Sequence, residues 1–247
     1  MDKLIYTAMT GASQVLNQQA AVSENLANAS TPGFRAMLST FRAVPLVGEG
    51  LPTRTFVVDS TPGSDFTSGP FQQTGRELDV AVRGEGWIAV QGQDGKEAYT
   101  RNGSLQISSN GILQTRTGLN VITDGGALTI PPDTEVTFAK DGTISTVPSS
   151  GKAASVISLG KLKLVNPPSQ QLERGGDGLF RLKNGENAII DDNVGIVPGS
   201  LEGSNVNTVE AMVNMISLAR KFDMQMKMLQ SADSNARQAS QIMNISG

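Results

Sequence analysis

The sequence has no cysteine and no histidine among its 247 residues. Without cysteine the chain forms no disulfide and offers no thiolate to a metal ion. Without histidine it lacks the commonest general base and the commonest metal ligand, which argues against an enzyme. We therefore expect no catalytic residue, no metal site and no cofactor.

Aromatic residues, charge of one sign and long apolar runs are also scarce. Aromatics make up 4% of the chain, with one tryptophan, and the net charge is −3. A nucleic-acid surface would need clustered lysine and arginine, so nucleic acid is not an expected partner. No apolar run reaches the length of about 18 residues that a transmembrane helix needs, so no membrane insertion is expected. The N-terminus shows no charged segment followed by an apolar core, so no cleaved secretory signal is expected either.

The strongest pattern that is present lies near the C-terminus, in residues 205–243. Apolar residues recur there in heptads without glycine or proline, which is typical of a long helix packed along a partner helix. Asn207 is the predicted N-cap, with Glu210 three residues later as in a capping box. The predicted seam has one row of Met215, Phe222, Leu229, Ala236 and Met243, and a second row of Met212, Ala219 and Met226 that continues through Asp233 and Ser240.

A second helix is predicted over residues 2–29, before the stop signal in residues 30–33. Polar residues interrupt its apolar seam, and such residues fix register and partner at a cost in stability. We therefore expect the two terminal helices to pair with each other and with helices of other chains. The alternative is an amphipathic helix that packs only on the core of its own domain. The seam runs through Ile5, Met9, Ala12, Leu16, Gln19, Ser23 and Leu26, with Ala8, Val15 and Val22 beside it.

The middle of the chain predicts strands. Residues 34–77 are punctuated by proline and glycine and have little regular pattern, so we interpret them as an extended arm. Residues 78–199 combine short alternating apolar runs with seven Asp-Gly or Asn-Gly dipeptides, which are strong hairpin signals. They predict a compact antiparallel β domain.

These patterns together predict a mixed, mainly β fold. Long N- and C-terminal helices are paired as a coiled coil, and the compact antiparallel β domain is inserted between them. The predicted divisions are a terminal-helix assembly module at 1–33 plus 200–247, the arm at 34–77, and the β domain at 78–199.

Carboxylate pairs are the candidates for catalysis. Glu77 and Asp79 would share one face of a strand, and Asp191 and Asp192 lie at a predicted turn. Any acidic protein offers such pairs, and no base, nucleophile and orienting group can be assembled around them. A hydrolase or a β-rich carbohydrate-binding adhesin therefore remains an alternative, but the sequence indicates no catalytic or binding site for either one.

Two terminal segments and the middle of the chain carry a family resemblance. Residues 23–35, SENLANASTPGFR, and residues 201–207, LEGSNVN, resemble the N- and C-terminal signatures of the flagellar rod, hook and hook-associated axial proteins. The stretches LDVAVRGEGW, from residue 78, and AYTRNGS, from residue 98, are also similar to family sequence. Phe34 departs from the tyrosine that many members have. Within the family, the chain is most similar to proximal rod subunits, with distal rod subunits as the alternative.

The resemblance implies a structural subunit of the flagellar rod that carries torque from motor to hook. It implies export from the cytoplasm through the flagellum's own type III apparatus, and a place in the basal body where the rod crosses the periplasm. The implied partners are copies of the chain and other rod proteins in a helical array. The expected assembly interface consists of Ile5, Met9, Leu16, Asn25, Leu26, Asn28, Phe34, Asn205, Val209, Met212, Met215, Ile216, Phe222, Met226 and Leu229.

Overall fold

The computed structural model describes residues 2–45, 55–148 and 156–245, with side chains placed there except at 2–7, 43, 55–62, 236, 239, 240 and 242–245. The chain divides into two compact units. The helical unit comprises Met1–Ala29, Ala36–Asp65 and Val206–Gly247, and the β unit comprises Ser30–Arg35 and Phe66–Asn205. The chain therefore passes from one unit to the other four times along its length.

The helical unit contains helix α1, Asp2–Ala27, and helix α2, Thr208–Ile245. The predicted cap of α2 is confirmed. The side-chain oxygen of Asn207 accepts hydrogen bonds from the backbone amides of Val209 at 3.1 Å and Glu210 at 3.3 Å. These two amides have no partner within the helix, so the cap stabilises its first turn.

A β-hairpin completes the described part of the helical unit. Strand β1, Met37–Pro45, pairs antiparallel with β2, Thr55–Ser64, with one irregularity between Leu38 and Thr40. The residues predicted as an irregular arm therefore contain regular structure, although 46–54 lie outside the described residues. The side-chain amide of Asn25 donates to the carbonyl of Met37 at 2.9 Å and accepts from its amide at 2.7 Å. This pair of bonds ties the end of α1 to the start of β1.

The described part of the β unit contains sixteen short strands, all paired antiparallel. They are β3 Phe71–Gln73, β4 Val80–Arg83, β5 Trp87–Gln91, β6 Glu97–Thr100, β7 Leu105–Ile107, β8 Leu113–Thr115, β9 Ile122–Thr123, β10 Gly126–Ala127, β11 Thr134–Phe138, β12 Thr143–Pro148, β13 Ile157–Lys161, β14 Leu164–Val165, β15 Leu172–Arg174, β16 Phe180–Leu182, β17 Gly195–Pro198 and β18 Ser200–Glu202.

These strands form several small sheets. The largest has the order β14-β5-β6-β16-β15, and a second has the order β11-β12-β13. The remaining sheets are the pairs β17-β4, β18-β3, β7-β8 and β10-β9. Because β17 and β18 pair with β4 and β3, the last strands of the unit join its first.

Two apolar clusters form the core of the β unit. The larger gathers mainly aliphatic residues from both main sheets and from β4, among them Ile88 of β5, Ile144 of β12 and Val82 of β4. The smaller surrounds Trp87, whose ring lies 4.6 Å from that of Phe180 and 5.9 Å from that of Phe66 between centroids. Aromatic rings at these separations stabilise a core beyond the area that they bury.

The buried side chain of Tyr99 connects the smaller apolar cluster to the charged residues Glu97 and Lys163. The hydroxyl of Tyr99 donates to Glu97 at 3.0 Å and accepts from the amide of Ala188 at 2.7 Å, while Lys163 lies 2.7 Å from the other oxygen of Glu97. Burial raises the pKa of Tyr99 to about 12, with a smaller contribution from the charge of Glu97 and against the opposing bond from Ala188. The neutral phenol is therefore the form that the fold holds.

This network predicts a loss of stability at alkaline pH. The folded protein keeps the Tyr99 proton between pH 10 and about 12, whereas the unfolded chain releases it, so unfolding becomes more favourable as the pH rises through that range. Tyr99→Phe should be less stable at neutral pH by about 1–2 kcal/mol, since the amide of Ala188 loses its acceptor. Urea unfolding from pH 9 to 12 measures both effects. The free-energy difference between parent and variant should shrink as the pH rises, and a constant difference would contradict the assignment.

The predicted fold class is wrong. The described residues contain two α-helices, one short 3-10 helix at Ser169–Gln171 and eighteen strands. The strands are spread over seven small sheets, and the two α-helices are not shown as a coiled coil.

The predicted seams are only partly buried. In α1, Met9 and Leu16 are exposed, whereas Ala12 is buried. In α2, Met212 and Met226 of one row are exposed, whereas Met215, Phe222 and Leu229 of the other row are half-buried. The buried apolar residues of the described helix positions are Ala8, Ala12, Val15, Ala211 and Leu218.

The error has a physical cause. In both helices, a predicted apolar row runs beside a second row of apolar or small residues that is shifted by one position. Ala8 stands next to Met9, for example, and Ala211 stands next to Met212. Both rows have heptad spacing, so the spacing alone does not tell which face of the helix is buried. The structure buries most deeply the neighbouring row, which contains Ala8 and Val15 in α1 and Ala211 and Leu218 in α2. Gly11 faces the side chain of Gln225 there, and a Cβ at Gly11 would lie 3.3 Å from its amide nitrogen. Small residues let helix backbones approach closely and leave the larger apolar residues outside.

Candidate functional site

The helical unit carries an exposed apolar surface. On α2, Val209, Met212, Val213 and Ile216 cover one side of the first two turns, and Ile216 is 57% exposed. On α1, Met9 and Leu16 are similarly exposed. We call these six residues the helical apolar surface. On each helix these exposed apolar side chains are candidates for burial against another protein chain.

The other predicted interface residues of the two helices are placed differently. Met226 is exposed, whereas Leu26, Met215, Phe222 and Leu229 are half-buried. The backbone of Ile5 lies in α1, but its side chain is outside the described residues. The helical part of the predicted interface thus divides into an outer group and a half-buried group.

The polar and aromatic residues predicted for the interface act within their own units. Asn25 binds Met37, and the side chain of Asn28 donates to the carbonyl of Glu24 at 3.0 Å. In the β unit, the amide of Asn205 donates to the carbonyl of Phe34 at 3.4 Å. The structure therefore brings Phe34 and Asn205 together from opposite ends of the chain.

A charged cluster beside these two residues was not predicted from the sequence. Glu202 is fully buried, and one of its carboxylate oxygens accepts from Arg35 at 2.8 Å and from the amide of Gly69 at 3.0 Å. The other oxygen accepts from Arg101 at 2.8 Å. We call Arg35, Gly69, Arg101 and Glu202, with Trp87 beside them, the Glu202 cluster.

The cluster holds two buried guanidinium groups against one carboxylate. Arg101 also donates to the carbonyls of Val82 at 3.4 Å and Gly84 at 2.6 Å. Burial lowers the pKa of Arg101, and the charge of Glu202 opposes that shift. The excess positive charge lies near the ring of Trp87, whose centroid is 5.5 Å from the guanidinium carbon of Arg101 and 6.0 Å from that of Arg35. Attraction between a cation and an aromatic face offsets part of the cost of burial.

Three of the four acidic residues considered for catalysis have structural partners, and the fourth, Glu77, is exposed. Asp79 is buried and accepts from Arg76 at 3.2 Å and from the hydroxyl of Ser104 at 3.4 Å. Asp191 accepts from the amide and the side chain of Asn193, and Asp192 pairs with Lys161 at 2.6 Å. Within the described ranges, no group of three or more acidic side chains could hold a metal ion.

One cavity of about 380 Å³ lies in the β unit, between the segment that follows β14 and the loop after β16. Its volume falls in the range of small-molecule sites. Its described lining consists of amide, proline and aliphatic residues together with the acidic residues Glu186 and Asp191, and it includes no aromatic ring on which a sugar could stack. It therefore gives the carbohydrate-binding alternative no specific support.

Three family models match successive parts of the chain. "Flagella basal body rod protein" matches residues 5–35, "Flagellar hook protein FlgE/F/G D1 domain" matches 81–146, and "Flagellar basal body rod FlgEFG protein C-terminal" matches 197–242. The flagellar basal-body rod protein FlgF of Escherichia coli K12 is 50% identical over 252 aligned residues, which cover all of both chains. The chain belongs to the flagellar basal-body rod protein family.

Other flagellar rod proteins are also similar to the chain, with different sequence identities. FlgF of Salmonella typhimurium LT2 is 49% identical, again across all of both chains. FlgG of Buchnera aphidicola from Acyrthosiphon pisum is 32% identical over 90% of this chain and 92% of its own. The chain is thus more similar to these two FlgF rod proteins than to this FlgG rod protein.

The Glu202 cluster draws on all three matched regions of this rod protein. Arg35 ends the first matched region, Arg101 lies in the second and Glu202 lies in the third. The sequence did mark these three residues as candidates, because each lies within a stretch that resembles the family. Their pairing was not predictable, since 167 and 101 positions separate the two arginines from Glu202.

Among the described residues, neither long helix contains the apolar stretch that a membrane-spanning helix requires.

Proposed function

We propose that the chain is a structural subunit of the proximal rod of the bacterial flagellum and not an enzyme. The observation that carries this proposal is the 50% identity to a FlgF rod protein over the whole of both chains. The alternative of a distal rod subunit has weaker support, because the FlgG relative is 32% identical. The structural partners of Asp79, Asp191 and Asp192 agree with a role that needs no catalysis.

Assembly through the terminal helices is the finer part of the proposal. Residues 1–33 and 200–247 would form the assembly module, with 34–77 as an arm and 78–199 as a β domain. The helical apolar surface supports this, because its exposed Met9, Leu16, Met212 and Ile216 would be buried by neighbouring subunits. A contact between different faces of identical subunits, repeated without closing, produces a filament.

The partners in this proposal are further copies of the chain and other rod proteins. Export through the flagellar type III apparatus, as the family resemblance implies, would carry the chain out of the cytoplasm. The assembled rod would lie in the basal body and pass torque from motor to hook. In this role the subunit needs rigid contacts rather than a ligand site.

A density map of purified basal bodies tests the proposal directly. Cells carrying an affinity tag on another basal-body component supply the particles, and mass spectrometry establishes whether this chain is present. We expect its two helices and its β unit to fit the proximal part of the rod. Density at the distal part would support the alternative position. Absence of the chain from intact basal bodies would overturn the proposal.

A further inference from the structure

Three segments of the β unit lie next to the points where the chain passes to the helical unit. Residues 30–35 lie between two of these points, residues 66–70 follow the third, and residues 200–205 precede the fourth. One carboxylate reaches all three. Glu202 belongs to the last segment, Arg35 to the first, and Gly69 donates its amide from the second.

Backbone contacts hold the same three segments side by side. The amide of Gly33 donates to the carbonyl of Glu202 at 2.8 Å, and the amide of Gly203 donates to the carbonyl of Pro70 at 2.8 Å. The side-chain amide of Asn205 donates to the carbonyl of Thr67 at 3.1 Å. The approach is close enough that a Cβ at Gly69 would overlap the carbonyl of Gly203.

We propose that Glu202 is a positioning residue for rod assembly: its carboxylate fixes, within the β unit, the three segments through which the chain leaves toward the helices and the hairpin. Arg101 completes the arrangement by joining this carboxylate to the strands of the core, through Val82 and Gly84. The assembly part of this inference rests on the proposed function. The local part, that one charge holds the three segments, does not.

The chemistry of the cluster explains why a carboxylate is needed there. The two guanidinium groups are buried, and the nitrogens Nε and Nη1 of Arg35 and Nε of Arg101 have no hydrogen-bond partner among the described residues. Glu202 is the carboxylate that pairs directly with both arginines, and its charge opposes the repulsion between them. A neutral side chain of the same shape would leave that repulsion in place and would turn a donor toward the arginines.

The experiment compares the full-length chain with Glu202→Gln. Glu173→Gln is the matched control, because Glu173 is an exposed glutamate in β15 of the same unit. Amide hydrogen exchange reports each segment, and the fluorescence of Trp87, the single tryptophan, reports the cluster itself. Glu202→Asp keeps the charge on a shorter side chain and provides a gentler variant if Glu202→Gln does not fold.

We expect exchange at the amides of Gly33, Gly69 and Gly203 to accelerate by at least about tenfold in Glu202→Gln. Amides of the core strand β5, such as Ala89, should keep their protection, and the Trp87 emission should move to longer wavelength. Glu202→Asp should show the same local pattern at smaller amplitude, and Glu173→Gln should match the parent. Unchanged exchange in the three segments, or equal acceleration throughout the β unit, would overturn the positioning role.

Swimming in soft agar completes the test in cells that produce each variant in place of the parent. Reduced motility is expected for Glu202→Gln and parental motility for Glu173→Gln, at equal cellular levels of the proteins. Full motility of a Glu202→Gln variant with loosened segments would overturn the assembly role of Glu202 and leave rod membership intact. Absence of the parent chain from basal bodies would instead contradict the proposed function, whatever the exchange data show.

Discussion

Replacing Ile216 by aspartate is expected to abolish swimming while the subunit itself stays folded. Ile216 is 57% exposed on α2, so the charge meets water in the free subunit and should change its stability by no more than about 0.5 kcal/mol. If neighbouring subunits bury this position, an unpaired carboxylate there costs several kcal/mol at each contact. The large difference between these two costs makes Ile216 a selective probe of assembly.

The measurement combines a soft-agar swimming assay with recovery of basal bodies from the same cells. Thermal unfolding of the purified subunit establishes that Ile216→Asp is folded. Ser217→Asp is the matched control, because it adds the same charge at the next exposed position, about 100° around the helix. Leu26→Asp is a less selective probe, since Leu26 is half-buried and its replacement also strains the subunit. Normal motility of a folded Ile216→Asp variant would remove this position from the assembly surface.

Gly103→Ala is expected to unfold or severely destabilise the β unit. The Asn102-Gly103 dipeptide resembles a hairpin turn, but Gly103 has no positive φ in the structure. Its role is close approach: a Cβ there would overlap the carbonyl oxygen of Val80, whose amide donates to the carbonyl of Gly103 at 3.0 Å. Because the obstructing atom belongs to the backbone of β4, it cannot turn away as a side chain would. We expect a loss of about 3 kcal/mol or more.

Gly125→Ala is the control for this substitution. Gly125 also lacks a positive φ, and nothing lies within 4 Å of the Cβ that alanine would add. Its replacement should change the free energy of unfolding by no more than about 0.5 kcal/mol. Chemical denaturation of both variants gives the comparison. Similar stability of the two alanine variants would show that β4 can shift to admit a methyl group at residue 103.

Local signals in the sequence located several features correctly. Asn207 precedes α2 and caps it, because a short polar side chain reaches amides only two and three residues away. The Asp141-Gly142 dipeptide joins β11 to β12, and Gly142 has the positive φ that such turns require. These features depend on interactions within a few residues, so the local sequence is sufficient to predict them.

Heptad spacing was less informative, because it gives the period of a helix but not which of two adjacent apolar rows is buried. Ala8 and Met9 both fit the pattern, as do Ala211 and Met212. Packing buries the alanines and exposes the methionines. The sequence therefore did not predict which helix face is buried. The large apolar side chains that remain exposed, such as Met9 and Met212, belong to the surface that we propose for assembly.

The sequence by itself determined the family, the lack of cysteine and histidine chemistry, the start of α2 and several turns. Those features depend on composition, on motifs and on interactions between near neighbours. Only the tertiary structure decided which helix faces are buried and that Glu202 joins Arg35 to Arg101. A buried carboxylate must find partners among all the cations that folding brings near it, and strand pairing between the two ends of the β unit decides which ones arrive.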